Sequence, residues 1–221
     1  MLADLRSHES GVYSQRGEDG VIRRIFECIG TTNRYFVEFG ARDGRTESNT
    51  AYLRIHLGWR GLLMEGDARL AGPAVRREFV TAENVNRLFA RHGVPASFDL
   101  LSIDIDGNDY WVWRALRYRP RVVVIEYNIF FPPDDAKAIR YDAGHVWDET
   151  RYHGASLAAL RKLGEAKGYA LVCTESWTPN AFFVLRSELP PGFRERPTGE
   201  LTPWPYFKGP LDAGERPWVA V

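Results

Sequence analysis

The sequence predicts an α/β domain, a mainly parallel sheet with helices packed on both faces. Three observations point there. Apolar runs alternate with stretches of helical period along most of the chain, the pattern of repeated strand and helix units. The runs are continuous and rich in β-branched residues, as in "RVVVIEYN", rather than alternating, so their strands are covered on both faces. Glycines close the helical stretches at Gly30, Gly58 and Gly93, a common helix stop. At 221 residues the chain can bury one sizeable core and has the ordinary length of a single domain.

The elements follow in order. "GEDGVIRRIFECIG" sets Val21, Ile22, Ile25, Phe26 and Ile29 on one helical stripe. "RYFVEFG" is a short buried strand, "SNTAYLRIHLG" a helix and "GLLMEGD" a second strand. A weaker third strand falls near "REFVTAE", and "NVNRLFARHG" is helical. "FDLLSIDID" is a strand, "DYWVWRAL" a helix and "RVVVIEYN" the most hydrophobic strand. Ser156 caps the helix "LAALRKLGEAKG", after which "YALVCT" and "AFFVL" form an antiparallel hairpin around "ESWTPN". Two regions lack periodicity: the aromatic-rich stretch 127–153, too long for an ordinary connection, and the proline-rich segment from Pro190. The second carries Phe193, Trp204, Tyr206, Phe207 and Trp218 and reads as an extended strap lying on the domain.

Lys plus Arg and Asp plus Glu each number 29, with no basic tract, so neither a nucleic acid nor a membrane surface is the expected partner. A small molecule is, and assembly into a homo-oligomer stays open. Cys28 and Cys173 lie far apart in apolar segments and are expected as reduced core residues. The N-terminus has no basic-then-apolar leader, and no run approaches the ~18 apolar residues of a membrane span. A cytoplasmic protein is expected.

Ligands of a parallel sheet bind beyond the carboxyl ends of its strands. "VEFGARDG" puts Glu38, Gly40 and Gly44 at such an end. A glycine there lets the backbone approach a ligand, and the next helix start offers unpaired N–H groups. A dinucleotide turn would read G-x-G-x-x-G, whereas this one reads E-x-G-x-x-x-G. The leading carboxylate repels phosphate and suits the cation of an amino-acid moiety. S-adenosylmethionine carries an ammonium and a sulfonium and no phosphate. Glu65 ends the next strand 27 positions after Glu38 and can accept from both ribose hydroxyls, as acids also do in NAD sites. The acid pair favours the methyl donor over a nicotinamide cofactor, and over glycines kept only for a tight turn beside solvated acids.

The strand order, the "VEFGARDG" loop, the "MEGD" acid and the terminal hairpin together resemble a class I S-adenosylmethionine-dependent methyltransferase. More narrowly, "YSQRGEDGVIRRIF", "FVEFGARDGRTESNT", "LGWRGLLMEGD" and "FDLLSIDIDGNDYWVW" resemble the FkbM-like group. Many of its members are O-methyltransferases acting on sugars and other hydroxylated natural products. The resemblance runs from Tyr13 to Phe183 and departs from the usual loop where Asp43 precedes Gly44. It implies a Rossmann-like, mainly parallel seven-stranded sheet ending in an antiparallel hairpin. The methyltransferase domain would be 1–189, with an N-terminal helix at 15–29, and the strap 190–221. Glu38, Gly40 and Gly44 would cradle the methionine portion, Glu65 the ribose, and Glu83 and Asn84 the adenine edge. Ser14 and Gln15 would close the donor site, and serve equally well as helix caps.

Methyl transfer is a bimolecular displacement, so an enzyme mainly holds the acceptor oxygen in line and helps remove its proton. Asp104 and Asp106 end one central strand, and Glu126 and Asn128 end its neighbour. Residues two apart in a strand point the same way, so three carboxylates and an amide can converge there, with Asp104 facing both donor and acceptor. Such hard donors suit Mg²⁺, which could bind vicinal hydroxyls and lower the pKa of one. Some class I O-methyltransferases of sugars and catechols are similar in placing a metal at these strand ends. Helix capping by Asp106 or Asn108, and loop opening by Asn128, is the structural alternative. His145 and His153 in the long loop are the candidate bases. Trp111 and Trp113 belong to the core by their helical setting, while Tyr127, Phe130, Phe131, Trp147 and Tyr152 are candidates for the acceptor wall. The expected activity is O-methylation of a small hydroxylated metabolite such as a sugar. The alternatives are a non-catalytic S-adenosylmethionine-binding module and a nicotinamide-dependent oxidoreductase.

Overall fold

The computed structural model describes residues 2–177, 179–202 and 216–221. Its sheet begins with β1 (Tyr35–Phe39), which pairs in parallel with β2 (Arg60–Glu65) and with β4 (Ser97–Ile103). A two-residue strand, β3 (Arg76–Arg77), extends β2, and β5 (Arg119–Glu126) runs parallel to β4. The terminal hairpin is β7 (Tyr169–Thr174) and β8 (Asn180–Leu185), and β8 lies antiparallel to both β5 and β7. The order is therefore β3-β2-β1-β4-β5-β8-β7. This is a Rossmann-like, mainly parallel seven-stranded sheet that ends in an antiparallel hairpin, as expected.

Successive strand residues feed opposite cores. Val123 and Ile125 of β5 pack with α3 (Val85–Arg91), α4 (Asp109–Ala115) and α5 (Leu157–Ala166). Val122 and Val124 pack on the other side with α1 (Glu18–Ile29) and α2 (Ala51–His56). Burial on both faces is why the central strands carry no polar alternation. The Ser156 hydroxyl accepts from the Ala159 N–H at 3.2 Å and caps α5 as expected.

Three boundaries differ from the sequence expectation. Helix α1 starts at Glu18 rather than 15, because the Asp19 carboxylate gathers the N–H groups of Val12, Tyr13 and Ser14 and holds that stretch as a loop. The weak third strand shrinks to β3 and lies slightly earlier. Inside the aperiodic stretch 127–153 is β6 (Lys137–Ile139), which pairs antiparallel with β9 (Trp218–Ala220) at the C-terminus. Two short strands so far apart in sequence leave no local signal. A short helix, α6 (Thr198–Leu201), precedes the undescribed stretch and buries Leu201. Trp204, Tyr206 and Phe207, the middle of the expected strap, lie outside the described residues.

Cys173 is buried, but Cys28 is exposed on the solvent side of α1 and is not the core residue expected. Among the described residues no helix is long and apolar enough to cross a membrane.

Candidate active site

The loop leaving β1 is shaped by protein contacts before any ligand is considered. Gly40 has φ of 73°, and a Cβ there would lie 1.5 Å from the Asp104 carbonyl oxygen. Only glycine lets the ends of β1 and β4 come this close. Gly44, with φ of 76°, packs down onto Leu63 and Val75. The Glu38 carboxylate is buried and accepts from the Ser48 hydroxyl at 2.7 Å, the Asn49 N–H at 2.8 Å and the Thr50 hydroxyl at 2.5 Å. Both of its oxygens are occupied in ordering the entry to α2, so Glu38 positions the loop. Gly40 lines the cavity beyond; Glu38 and Gly44 do not.

That cavity, about 900 Å³, lies over the carboxyl ends of β1, β2, β4 and β5. Glu65 enters it with Oε2 accepting from the Arg42 N–H at 2.9 Å and Oε1 from the Asp67 N–H at 2.8 Å. Gln15 also reaches it. Asn84 does not: its amide is spent on Thr81 N–H and the Phe79 carbonyl, both at 2.8 Å. Glu83 is likewise elsewhere, taking the Tyr141 hydroxyl. The residues that line the cavity on this side are Phe79, which is 47% exposed, and Val80. Eight acidic side chains line the cavity against two arginines. Those two, Arg42 and Arg69, are paired with Glu47 and Asp67. The field inside therefore favours a cation.

Asp104, Asp106 and Glu126 converge, each offering an oxygen within 4.8 Å of the others. Asp106 holds a left-handed backbone, φ 53°, in the turn that the buried Asp109 carboxylate closes by accepting from Ile105 and Gly107 N–H. A non-glycine residue in that region at a site is a strained, over-determined feature. Burial first, and the neighbouring carboxylates second, push Asp104 and Glu126 well above the ordinary carboxylate range. The amide of Asn128 does not join them. Its Nδ2 donates to the Arg151 carbonyl at 2.8 Å and the His153 carbonyl at 3.0 Å, and its Oδ1 accepts from Phe130 N–H at 3.0 Å.

His153 stands beside Glu126 instead, outside the group of three mutually close carboxylates: its Nδ1 is 3.7 Å from Glu126 Oε2, and both atoms are buried without a hydrogen bond among the described residues. His145 sits on Gly107, where a Cβ would lie 2.3 Å from its ring, and its Nε2 is also buried, with no hydrogen bond among the described residues. Burial lowers the pKa of both imidazoles, keeping them neutral.

A second cavity, about 880 Å³, opens on the other side of this cluster, walled by Ile129, Phe130, Trp147 and Trp177 with Arg16 and Arg151. It shares Asp106, Glu126, Trp147 and Glu149 with the first. Among the described residues, five of the eight exposed large hydrophobic side chains line one cavity or the other: Leu70, Phe79, Val146, Trp147 and Trp177. Trp113 is core, as expected, and Trp111 donates to the Ile139 carbonyl at 2.9 Å beneath the loop. Phe131 and Tyr152 pack on Trp218 rather than on a cavity. The Tyr152 hydroxyl donates to the Pro217 carbonyl at 2.8 Å, and Arg216 pairs with Asp148 at 2.9 Å, fastening the loop from the C-terminus.

Sequence reasoning missed Phe79, Asn180 and Trp177. Asn180, 4% exposed, lines the first cavity opposite Glu126 in the β5 to β8 register, with Oδ1 unbonded. Nothing local marks it, whereas a tryptophan in the polar turn "ESWTPN" was a usable signal.

No protein-family model matches the chain, and no curated protein does. Among solved structures the chain is similar to the N-terminal domain of EvdMO1 with SAH bound. That match has 17% identity and a TM-score of 0.46, covering 78% of this chain and 81% of the other. It is also similar to the same domain crystallised in the presence of SAH and D-fucose, with 13% identity, a TM-score of 0.40 and coverage of 83% and 91%.

Proposed function

We propose that the chain transfers a methyl group from S-adenosylmethionine to a hydroxyl of a small ring-containing metabolite such as a sugar, assisted by a divalent cation. The supporting observation is the meeting of two cavities at one carboxylate cluster. The acidic cavity suits a cationic nucleoside: Glu65 for the ribose, Phe79 and Val80 for the base, and the acids near Asp104 for the charged methionine end. A pyrophosphate would meet the same acids and be repelled, which disfavours a nicotinamide cofactor. The aromatic cavity suits the face of a ring.

The cluster fits a cation. Two ligands on opposite sides of one ion stand about 4–5 Å apart, and these oxygens lie within 4.8 Å of each other. Asp104, Asp106 and Glu126 would hold it, and it would supply the Lewis acidity that makes a bound hydroxyl easier to deprotonate. Trp147 lines both cavities and stands at their junction, where it would cover the reacting groups once both ligands are bound. The methyl carbon leaves sulfur, whose bonding pair stays behind, and bonds to the acceptor oxygen. The neutral imidazole of His145 takes the hydroxyl proton. Segment 190–221 acts as a strap on the 1–189 domain, its end held by β6.

Calorimetric titration with S-adenosylhomocysteine and with NAD tests the donor, and S-adenosylhomocysteine is expected to bind alone. NAD binding without it would overturn the reading. Turnover is then measured on a panel of hydroxylated acceptors with and without chelator. Donor binding with no turnover across the panel would point to the non-catalytic module.

A further inference from the structure

We propose that His153 is the nitrogen ligand of the cation site, and that the site therefore prefers a first-row transition ion such as Mn²⁺ to Mg²⁺. The inference rests on the reading of Asp104, Asp106 and Glu126 as a cation site and adds to it a fourth ligand and a metal class.

The fourth position is open because Asn128, the oxygen donor that the strand pattern offers, is fully engaged. Its bonds to the carbonyls of Arg151 and His153 fix the backbone on either side of Tyr152 and so hold His153 over the cluster. The His153 ring packs edge-on against Trp147, with centroids 6.1 Å apart.

His153 Nδ1 and Glu126 Oε2 are both buried, both without a hydrogen bond among the described residues, and 3.7 Å apart. A charge-assisted bond between them would close to about 2.7–2.9 Å, and an unpaired buried polar atom is a costly feature that a fold rarely tolerates. Two such atoms facing each other beyond bonding distance are satisfied together by one ion between them. Asn180, paired with Glu126 across β5 and β8 and 4% exposed, lines the same cavity and has an Oδ1 without a hydrogen bond among the described residues. Its Nδ2 is committed to Glu18 Oε1 at 2.8 Å, which fixes the amide's orientation.

Mg²⁺ takes oxygen ligands and keeps several waters, whereas a first-row transition ion accepts an imidazole among oxygen ligands more readily, Mn²⁺ being the one that also suits carboxylates. Three carboxylates and one imidazole make a donor set for the second class.

The test uses the full chain, stripped of metal, titrated calorimetrically with Mn²⁺ and with Mg²⁺. One Mn²⁺ per chain is expected, bound at least about tenfold more tightly than Mg²⁺. Pulsed electron paramagnetic resonance of the Mn²⁺ form should show coupling to an imidazole nitrogen, a result that needs no variant. His153→Ala should lose that coupling and at least about tenfold in Mn²⁺ affinity while Mg²⁺ affinity changes less than about threefold; a thermal melt checks that it folds. Mn²⁺ bound without nitrogen coupling, equal affinity for the two ions, or unchanged Mn²⁺ binding by His153→Ala would each overturn the proposal. Failure of the wild type to bind either ion would overturn the cation site with it. Titration with S-adenosylhomocysteine keeps the donor reading separate, because the nitrogen coupling decides the role of His153 whether or not the donor product binds.

Discussion

The two ends of the central strands treat their acids in opposite ways. Near its start β4 buries Asp99, which accepts from the N–H groups of Thr32, Asn33 and Arg34, the Thr32 hydroxyl and Arg121 of β5. Arg121 is in turn paired with Glu188 at 2.6 Å. Past the other end of β4 stands Asp104, and at the end of β5 Glu126, and no hydrogen bond between described residues reaches either carboxylate. Burial pushes both ends toward the neutral acid. At the amino end the Arg121 and Thr32 donors outweigh it and hold Asp99 below its ordinary 3.8, while at the carboxyl end neighbouring acids add to it. One end is finished by the protein, and the other is left for something else to finish.

Removing the acid should therefore have opposite signs at the two ends. Asp99→Ala strands Arg121 in the interior and is expected to cost about 3–5 kcal/mol, read by denaturant unfolding. Asp104→Asn, in chelated protein, relieves like-charge crowding and is expected to add about 0.5–2 kcal/mol while abolishing cation binding. If Asp104→Asn destabilised the chelated protein as Asp99→Ala does, the carboxyl end would be a structural network like the other and the site would be lost.

A pH profile of stability sharpens the contrast between a saturated acid and a buried one that is only partly compensated. Asp99 has a depressed folded pKa, so its contribution is complete above its ordinary 3.8 and is lost as pH falls through the depressed value. Glu38 is the reverse. Burial raises it above 4.5 despite the bonds from Thr50, Ser48 and Asn49, so the folded state binds more proton and stability falls as pH rises above that value. Glu38→Gln should flatten this decline in a series of thermal melts, whereas Asp99→Asn should remove the acid-side loss. An unchanged slope in Glu38→Gln would show that Glu38 is not held protonated by its burial.

Much of this was legible in the sequence, and the exceptions share a cause. The strands themselves followed from runs such as "RVVVIEYN" because burial on two faces leaves a compositional mark, whereas the seven-stranded sheet they build was what the family resemblance implied. Asp104, Asp106 and Glu126 could be placed at the ligand end because strand ends and a two-residue period suffice. Glu38 and Asn84 were legible as polar residues near the right loops, but not as groups already consumed by Ser48, Asn49, Thr50 and Phe79. Strand periodicity put Asn128 beside Glu126, yet β5 ends at Glu126 and the chain turns away there, leaving His153 in that space. Hydrogen-bond commitment across the fold has no period, so no window of sequence reveals it.

The smallest expected effect on stability is also the one that separates the two cavities. Trp177 is 67% exposed and lines only the aromatic cavity, while Phe79 lines only the acidic one. Surface changes of this kind alter folding by less than about 0.5 kcal/mol, so a change in binding is read cleanly. Trp177→Ala should leave S-adenosylhomocysteine affinity within about twofold and raise the acceptor KM at least about fivefold. Phe79→Ala should weaken S-adenosylhomocysteine at least about fivefold and leave the acceptor KM nearly unchanged. Both variants shifting the same constant would mean that one ligand spans both cavities, and the carboxylates between them would then lie beneath a single bound molecule instead of at a junction between two.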